Sequence, residues 1–262
     1  MICIIPQHAH SVRLPRKAFK PLCNVPLVAW SVIQAQAAKC IDAVYVSTES
    51  EEIADICAPL GANIIWRPPE IQDKAFAANV PIRHALEYLG MADRHEPFLT
   101  KLATSPLIFP GDIDKMAECF SNADEVPIGM GKQVLLGADM QEIVSYKKVR
   151  DGKYPMCVAD YVAKRKQKPV SVMGAMNMMY ADAYAPGDER IKWIFSTNAA
   201  RDDDIDDNIV NYGMLLGNSL VYYVPCEPWQ TFDIDDQAGF DICETFMEKY
   251  ILKGRGPEIY YA

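Results

Sequence analysis

Ile2-Cys3-Ile4-Ile5-Pro6, then Pro26-Leu27-Val28-Ala29-Trp30, then Ala43-Val44-Tyr45-Val46-Ser47-Thr48 form the stretch whose reading decides the fold. The first segment is a short continuous apolar run, the pattern of a strand buried on both faces. In the second, apolar residues recur at helical spacing (Leu27, Val28, Trp30, Ile33, Ala37), with proline where a helix can begin. The third is a β-branched run and reads as another strand. Moving outward, Glu51–Ala58 reads as a helix with Ser50 as N-cap, closed by Pro59-Leu60-Gly61. Asn63–Trp66 is a third strand. Arg67-Pro68-Pro69-Glu70 is too proline-rich for regular structure. A helix over 77–89 ending at Gly90, a strand over 97–102, and a helix over 112–120 after the Pro110-Gly111 break continue the rhythm. Strand alternating with helix across short links predicts an α/β fold, with a mainly parallel Rossmann-like sheet and helices on both faces.

The pattern loosens between about 126 and 196, where Lys147–Lys153 resembles an exposed hairpin turn and Val170–Tyr180 is apolar and rich in methionine. Such a Met stripe suits plastic core or a subunit interface. The acidic run over 201–207 reads as a solvated loop, Leu220–Val224 as a late strand, and Gln237–Leu252 as a closing amphipathic helix. One domain over 1–262 is expected, and the apolar content of 130–200 suits a pairing element.

Composition narrows the classes. The 262 residues carry a net charge of -9, with 50% hydrophobic and 23% charged residues, which suits a globular domain with a sizeable core. The acidic balance argues against broad affinity for nucleic acid or anionic lipid. The eight cysteines are scattered without a C-x-x-C pair and read as buried thiols of a reducing compartment. Met1–Pro6 is too short for a signal peptide, and no run approaches the ~20 apolar residues of a membrane span, so a cytoplasmic protein is expected.

Two clusters carry chemistry. In an open parallel sheet, ligands bind beyond the carboxyl ends of the strands. The loop after the first strand holds Ser11, Arg13, Arg16, Lys17 and Lys20, cations and donors of the kind a polyphosphate requires. It contains no glycine over 7–20 and is not a Walker motif. Far along the chain, Thr231-Phe232-Asp233-Ile234-Asp235-Asp236 places Asp233 and Asp235 on one side of an extended segment, with Phe232 and Ile234 toward the core. Neighbouring carboxylates of this type suit Mg²⁺. His8-Ala9-His10 supplies only two potential metal ligands.

Ile4-Ile5-Pro6, Ser11, Arg13-Leu14-Pro15, Lys17, Lys20-Pro21-Leu22, Pro26–Trp30, Val46–Ala54, Arg67–Glu70, Asp73, Thr104–Leu107 and Asp233-Ile234-Asp235 occur in an order that resembles the acylneuraminate cytidylyltransferase family, the CMP-sialic acid synthetase type. The resemblance is tight over about 1–123 and returns at 229–250. It implies a fold of the nucleotide-diphospho-sugar transferase type, a homodimer, and coupling of CTP to a nonulosonic or octulosonic sugar acid, giving a CMP-sugar and pyrophosphate. The resemblance also implies that 130–200 serves dimerisation and sugar-acid specificity. By resemblance, Ser11 and Lys17 would bind phosphates, with Arg13 in the same loop, and Arg67 and the segment to Asp73 would line the nucleoside site. Arg16 joins the nucleotide-binding set by its place one residue before Lys17. Asp233 and Asp235 would hold Mg²⁺, with Lys17 and Asp235 at the reacting centre.

The chain departs from the family pattern. The loop's arginine position is His8, its lysine position Val12, and the following asparagine Ala18. Leu102 replaces a glutamine, Ile108 an arginine and Met173 an asparagine. Two lost cations should cost about 1.5–3 kcal/mol each of phosphate binding, unless Arg16 compensates. A same-fold enzyme with altered specificity and a non-catalytic nucleotide- or protein-binding relative are the alternatives.

Overall fold

The computed structural model describes residues 1–72, 79–122, 131–139, 170–180 and 219–261. Strands β1 (Ile2–Pro6), β4 (Ala43–Thr48), β5 (Asn63–Trp66) and β6 (Pro97–Lys101) form the parallel half of a seven-stranded sheet. The sheet is completed by β7 (Gly131–Asp139), β8 (Val170–Tyr180) and β9 (Ser219–Pro225), in the order β5-β4-β1-β6-β8-β7-β9. Strand β8 runs antiparallel to both β6 and β7, and β9 is parallel to β7. The sheet is therefore mainly parallel, with β8 as the reversed strand.

Both faces of the sheet are covered, because alternate residues of a strand point to opposite sides. Cys3 and Ile5 join Val44, Val46 and Leu99 in one core, with Val28 and Val32 of α1 (Leu27–Gln36) and Ile113 and Met116 of α5 (Pro110–Asn122). Ile4, Ile65 and Phe98 face the other way, against Ile82, Ala85 and Leu86 of α4 (Asn79–Tyr88). Helix α1 is buried on nearly every side and mostly apolar, with Ser31 and Gln34 as its buried polar groups. Its far side, Leu27, Trp30 and Ile33, packs on Phe240, Cys243 and Met247 at and beyond the end of α6 (Gln237–Phe246).

Local chemistry sets the element ends. Ser50 caps α2 (Glu51–Cys57), its Oγ accepting the Ile53 N–H at 3.3 Å, and Glu51 and Glu52 occupy the positive first turn. A single 3₁₀ turn over Ala58–Leu60 then closes at Gly61, whose φ of 90° is open to glycine at little cost.

Several elements differ from the sequence expectation. The prolines at 67–70 do not prevent helix. Pro69–Gln72 forms a short turn, α3, because proline fits the first helical position. For the same reason Pro110 begins α5 instead of breaking it, and that helix reaches Asn122. The stretch 7–22 is not wholly irregular, since Pro21–Leu22 (β2) and Val25–Pro26 (β3) pair as a small hairpin. Its turn residues Cys23 and Asn24 both take positive φ without a glycine to signal it. The last helix is α-helical only to Phe246, and Met247–Leu252 continues it in wider π turns. The expected hairpin at 147–153 and the acidic run at 201–207 lie outside the described residues.

Substituting Gly61→Ala would force a Cβ into a left-handed position 2.9 Å from Gln36 Nε2. It is expected to lower stability by roughly 1–2 kcal/mol, read as a shift of the urea midpoint at unchanged slope.

Candidate active site

The parallel strands follow one another outward as β1, β4 and β5, and the chain then crosses to β6 on the other side of β1. This reversal of strand order opens a crevice beyond the carboxyl ends of β1 and β6, the place where doubly wound sheets bind ligands. The loop 7–20 leaves β1 there, and the turn 102–105 leaves β6 there.

The late aspartate segment docks onto the same place. Ile234 N–H donates to the Thr104 carbonyl at 2.9 Å, and its side chain is fully buried. Lys17 Nζ donates to the Ile234 carbonyl at 2.6 Å. Ser105 Oγ–H donates to Asp233 Oδ1 at 3.2 Å, and Arg13 Nη1 pairs with Asp235 Oδ2 at 2.8 Å. The Thr104 hydroxyl favours the Asp233 carboxylate by proximity but makes no hydrogen bond of ordinary geometry. Asp236 turns away to cap α6, accepting the Gly239 N–H at 2.8 Å. Gly239 lets this turn close, since a Cβ there would stand 2.9 Å from the Asp233 carbonyl.

Electrostatics at this junction are balanced against burial. Desolvation raises the Asp233 carboxyl above its ordinary range, and the Asp235 charge adds to the rise, while Lys17 and Ser105 oppose it. Desolvation lowers the Lys17 ammonium, opposed by Asp233 and Asp235. Burial thus drives both groups toward neutrality, and the attraction between their charges opposes it. His8 is lowered, chiefly by burial, and stands as a neutral imidazole at pH 7.

Lys17, Arg13, Asp233 and Asp235 are brought together. Ser11 lies half-buried in the same loop. Arg16 is directed elsewhere: its backbone is left-handed at φ 55°, and its guanidinium pairs with Glu52 and covers the Phe19 ring. It therefore does not take up the cationic role left open by His8 and Val12 at the aspartates. Arg67 is buried below the site, with Nε on Ser47 Oγ at 3.1 Å and Nη2 on the Ser47 carbonyl at 2.6 Å. Burial brings its pKa down to about 10, opposed by Glu49. Asp73 lies outside the described residues. Phe232, expected to face the core, instead stays 42% exposed and packs on the Phe246 ring at 5.4 Å.

Two groups at this junction have no place in the sequence reading. Glu49 follows β4, and its Oε1 accepts the Ala9 N–H of the loop at 2.8 Å. Lys101, the last residue of β6, is fully buried, and its Nζ donates to Ser31 Oγ and to the Ser105 carbonyl, each at 3.3 Å. The signal for Lys101 was present: a lysine ending the strand Phe98-Leu99-Thr100 has nowhere to go but inward.

Fold and crevice define a doubly wound α/β protein whose cationic loop meets a pair of carboxylates. The chain belongs to the cytidylyltransferase family, whose profile matches residues 2–156. It is 28% identical over 135 residues to a CMP-N,N'-diacetyllegionaminic acid synthase of Legionella pneumophila, covering 52% of this chain and 56% of that one. It is also 28% identical over 109 residues to a pseudaminic acid cytidylyltransferase of Campylobacter jejuni, covering 41% and 47% respectively. The aligned region thus spans about half the length of the curated relatives it matches. A solved structure described as a CMP:2-keto-3-deoxy-manno-octonic acid synthetase complexed with CTP matches with a TM-score of 0.63 at 11% identity, over 95% of this chain and 99% of that one. At that identity the match establishes the fold alone. Among the described residues no helix is long and apolar enough to cross a membrane.

Burial pulls the Lys101 ammonium down to about 8 from 10.5, with Cys3 and Asp233 opposing. Because the unfolded chain holds this proton up to a higher pH, the cost of the buried charge is complete below pH 8 and fades between about 8 and 10.5. Lys101→Met is therefore expected to be more stable than the native chain at pH 7 by roughly 2–4 kcal/mol, with the gap closing toward pH 10. Paired thermal melts across that range check it.

Proposed function

We propose that this chain is a Mg²⁺-dependent cytidylyltransferase that couples CTP to a sialic-acid-like or Kdo-like sugar acid. One observation carries the reading: the Lys17 ammonium of the first loop sits on the Ile234 carbonyl, between two aspartates, at the point where the strand order reverses. The names of the matched relatives, synthases and cytidylyltransferases of sugar acids, support the substrate class.

In the proposed reaction the sugar's anomeric hydroxyl attacks the α-phosphorus of CTP. A new O–P bond forms as the bond to the bridging oxygen breaks, the hydroxyl loses its proton, and pyrophosphate leaves. Catalysis of this kind is mostly positioning and neutralisation of charge. Lys17 and Arg13 are the cations of the loop that reach the junction, and Ser11 precedes them in the same loop. Arg16 belongs to the same loop but engages Glu52 in the ligand-free chain. By the family resemblance, Arg67 and Asp73 would serve the nucleoside.

Asp233 and Asp235 offer hard oxygen donors, and Asp233 is partly desolvated with a like charge beside it, an arrangement that a divalent ion relieves. Among the described residues no cluster of three or more His, Cys, Asp or Glu could form a full protein cage. A pair of carboxylates suits Mg²⁺, which takes one or two such ligands and leaves its other positions to phosphate and water. Bound there, Mg²⁺ would supply charge neutralisation at the phosphates.

The neutral His8 and the exposed Val12 favour a second reading, a relative that binds nucleotide without turnover. A single domain over 1–262, pairing as a homodimer through 130–200, completes the proposal. Free thiols among the described cysteines accord with a cytoplasmic setting.

Pyrophosphate release from CTP, assayed over a panel of sugar acids with and without Mg²⁺, is expected only with the metal. Asp235→Asn should lower turnover at least roughly 100-fold with the fold intact. Lys17→Ala should weaken CTP binding roughly 10- to 100-fold, the loss expected for a charged hydrogen bond. CTP that binds the native chain without any release would favour the second reading.

A further inference from the structure

Glu49 is a third carboxylate beside the candidate nucleotide site, and the proposed reaction gives it nothing to do. A negative charge next to a triphosphate weakens binding, so its placement calls for a compensating role.

The geometry supplies one. Strands β1 and β4 run parallel to the rung Pro6↔Ser47, and the Gln7 N–H still donates to the Ser47 carbonyl at 2.9 Å. On an evenly spaced parallel ladder the next rung would join the Ala9 N–H to the Glu49 carbonyl. That N–H instead donates to Glu49 Oε1 at 2.8 Å, so a side chain replaces the main-chain acceptor just where the loop departs from the sheet. The other oxygen, Oε2, faces Arg67 Nη1 at 3.4 Å. Ser47, two residues earlier, holds the same two segments, its carbonyl accepting both the Gln7 N–H and Arg67 Nη2. The Glu49 and Arg67 side chains are only 14% and 1% exposed, so the bracket lies beneath the crevice and not across its mouth.

We propose that Glu49 is a positioning residue for nucleotide binding, its carboxylate acting as the last rung of the β1–β4 ladder and fixing both the start of the cationic loop and the Arg67 guanidinium. The inference rests on the nucleotide-binding reading of those two segments. His8 lies between the two fastened residues, and the loop that carries Arg13 and Lys17 to the aspartates starts from the same anchor.

The test compares Glu49→Gln, which keeps a carbonyl acceptor for Ala9, with Glu49→Ala, which keeps none. CTP dissociation constants are measured by calorimetry in Mg²⁺, and exchange of the Ala9 amide is followed in the ligand-free chain. Glu49→Gln is expected to stay within about threefold of the native affinity. Glu49→Ala should bind CTP about tenfold more weakly and exchange the Ala9 amide about tenfold faster. The proposal is overturned if Glu49→Ala binds CTP as tightly as the native chain or more so, since the carboxylate would then only hold a place that phosphate takes. Equal losses in both variants would also overturn it. A native chain that binds no CTP removes the nucleotide reading and this role with it, and the Ala9 exchange shows separately whether the tether exists.

Discussion

The contact between the Lys17 ammonium and the Ile234 carbonyl, 2.6 Å long, joins the beginning of the chain to its end. It is the interaction on which the rest of the site depends. Without it the loop after β1 and the segment before α6 are two surface excursions separated by more than two hundred residues. With it, a cation is held between two carboxylates, one of which is half-buried. Neither charge is comfortable there, since removal from water costs several kcal/mol per ion. They tolerate it because each offsets the other, and because Arg13 pairs with Asp235 Oδ2 and Ser105 donates to Asp233 Oδ1.

A junction of this kind is poised for exchange. Arg13 pairs with Asp235, and Lys17 donates to the Ile234 carbonyl between the two aspartates in the sequence. A triphosphate arriving with a divalent ion would bring the complementary set, an anion for Lys17 and Arg13 and a cation for Asp233 and Asp235. The positive charge available in the loop is smaller than the resemblance implies, because His8 is neutral and Val12 points into solvent. Arg16 does not make up the difference while it is paired with Glu52. The chain carries a charge elsewhere, in Lys101 beneath the turn that delivers Ser105 to Asp233, where a strand would ordinarily keep only apolar residues.

Much of this was legible in the chain itself. Continuous apolar strands, alternating with helices that begin at Pro26 or Ser50, specify a doubly wound sheet, because burial on both faces leaves no room for a polar alternation. The meeting of Lys17 with the late aspartate segment was legible through ordered motifs alone, as no local periodicity links Lys17 to Ile234, 217 positions on. Other features were not readable. The Cys23-Asn24 turn adopts positive φ without glycine, and Pro69 and Pro110 start helices where a Pro-Pro or Pro-Gly pair reads equally as a break. Glu49 looks like one more acid before a helix. Only the register of β1 against β4 shows that its side chain replaces a main-chain rung.

The most direct test is a crystal of the full chain soaked with CTP and Mn²⁺, examined for anomalous scattering. The account predicts a metal peak within ~2.2 Å of oxygens of both Asp233 and Asp235. It also predicts triphosphate density against Lys17 and the loop after β1. A metal bound away from these aspartates, or a nucleotide lodged anywhere but the crevice between β1 and β6, would contradict it.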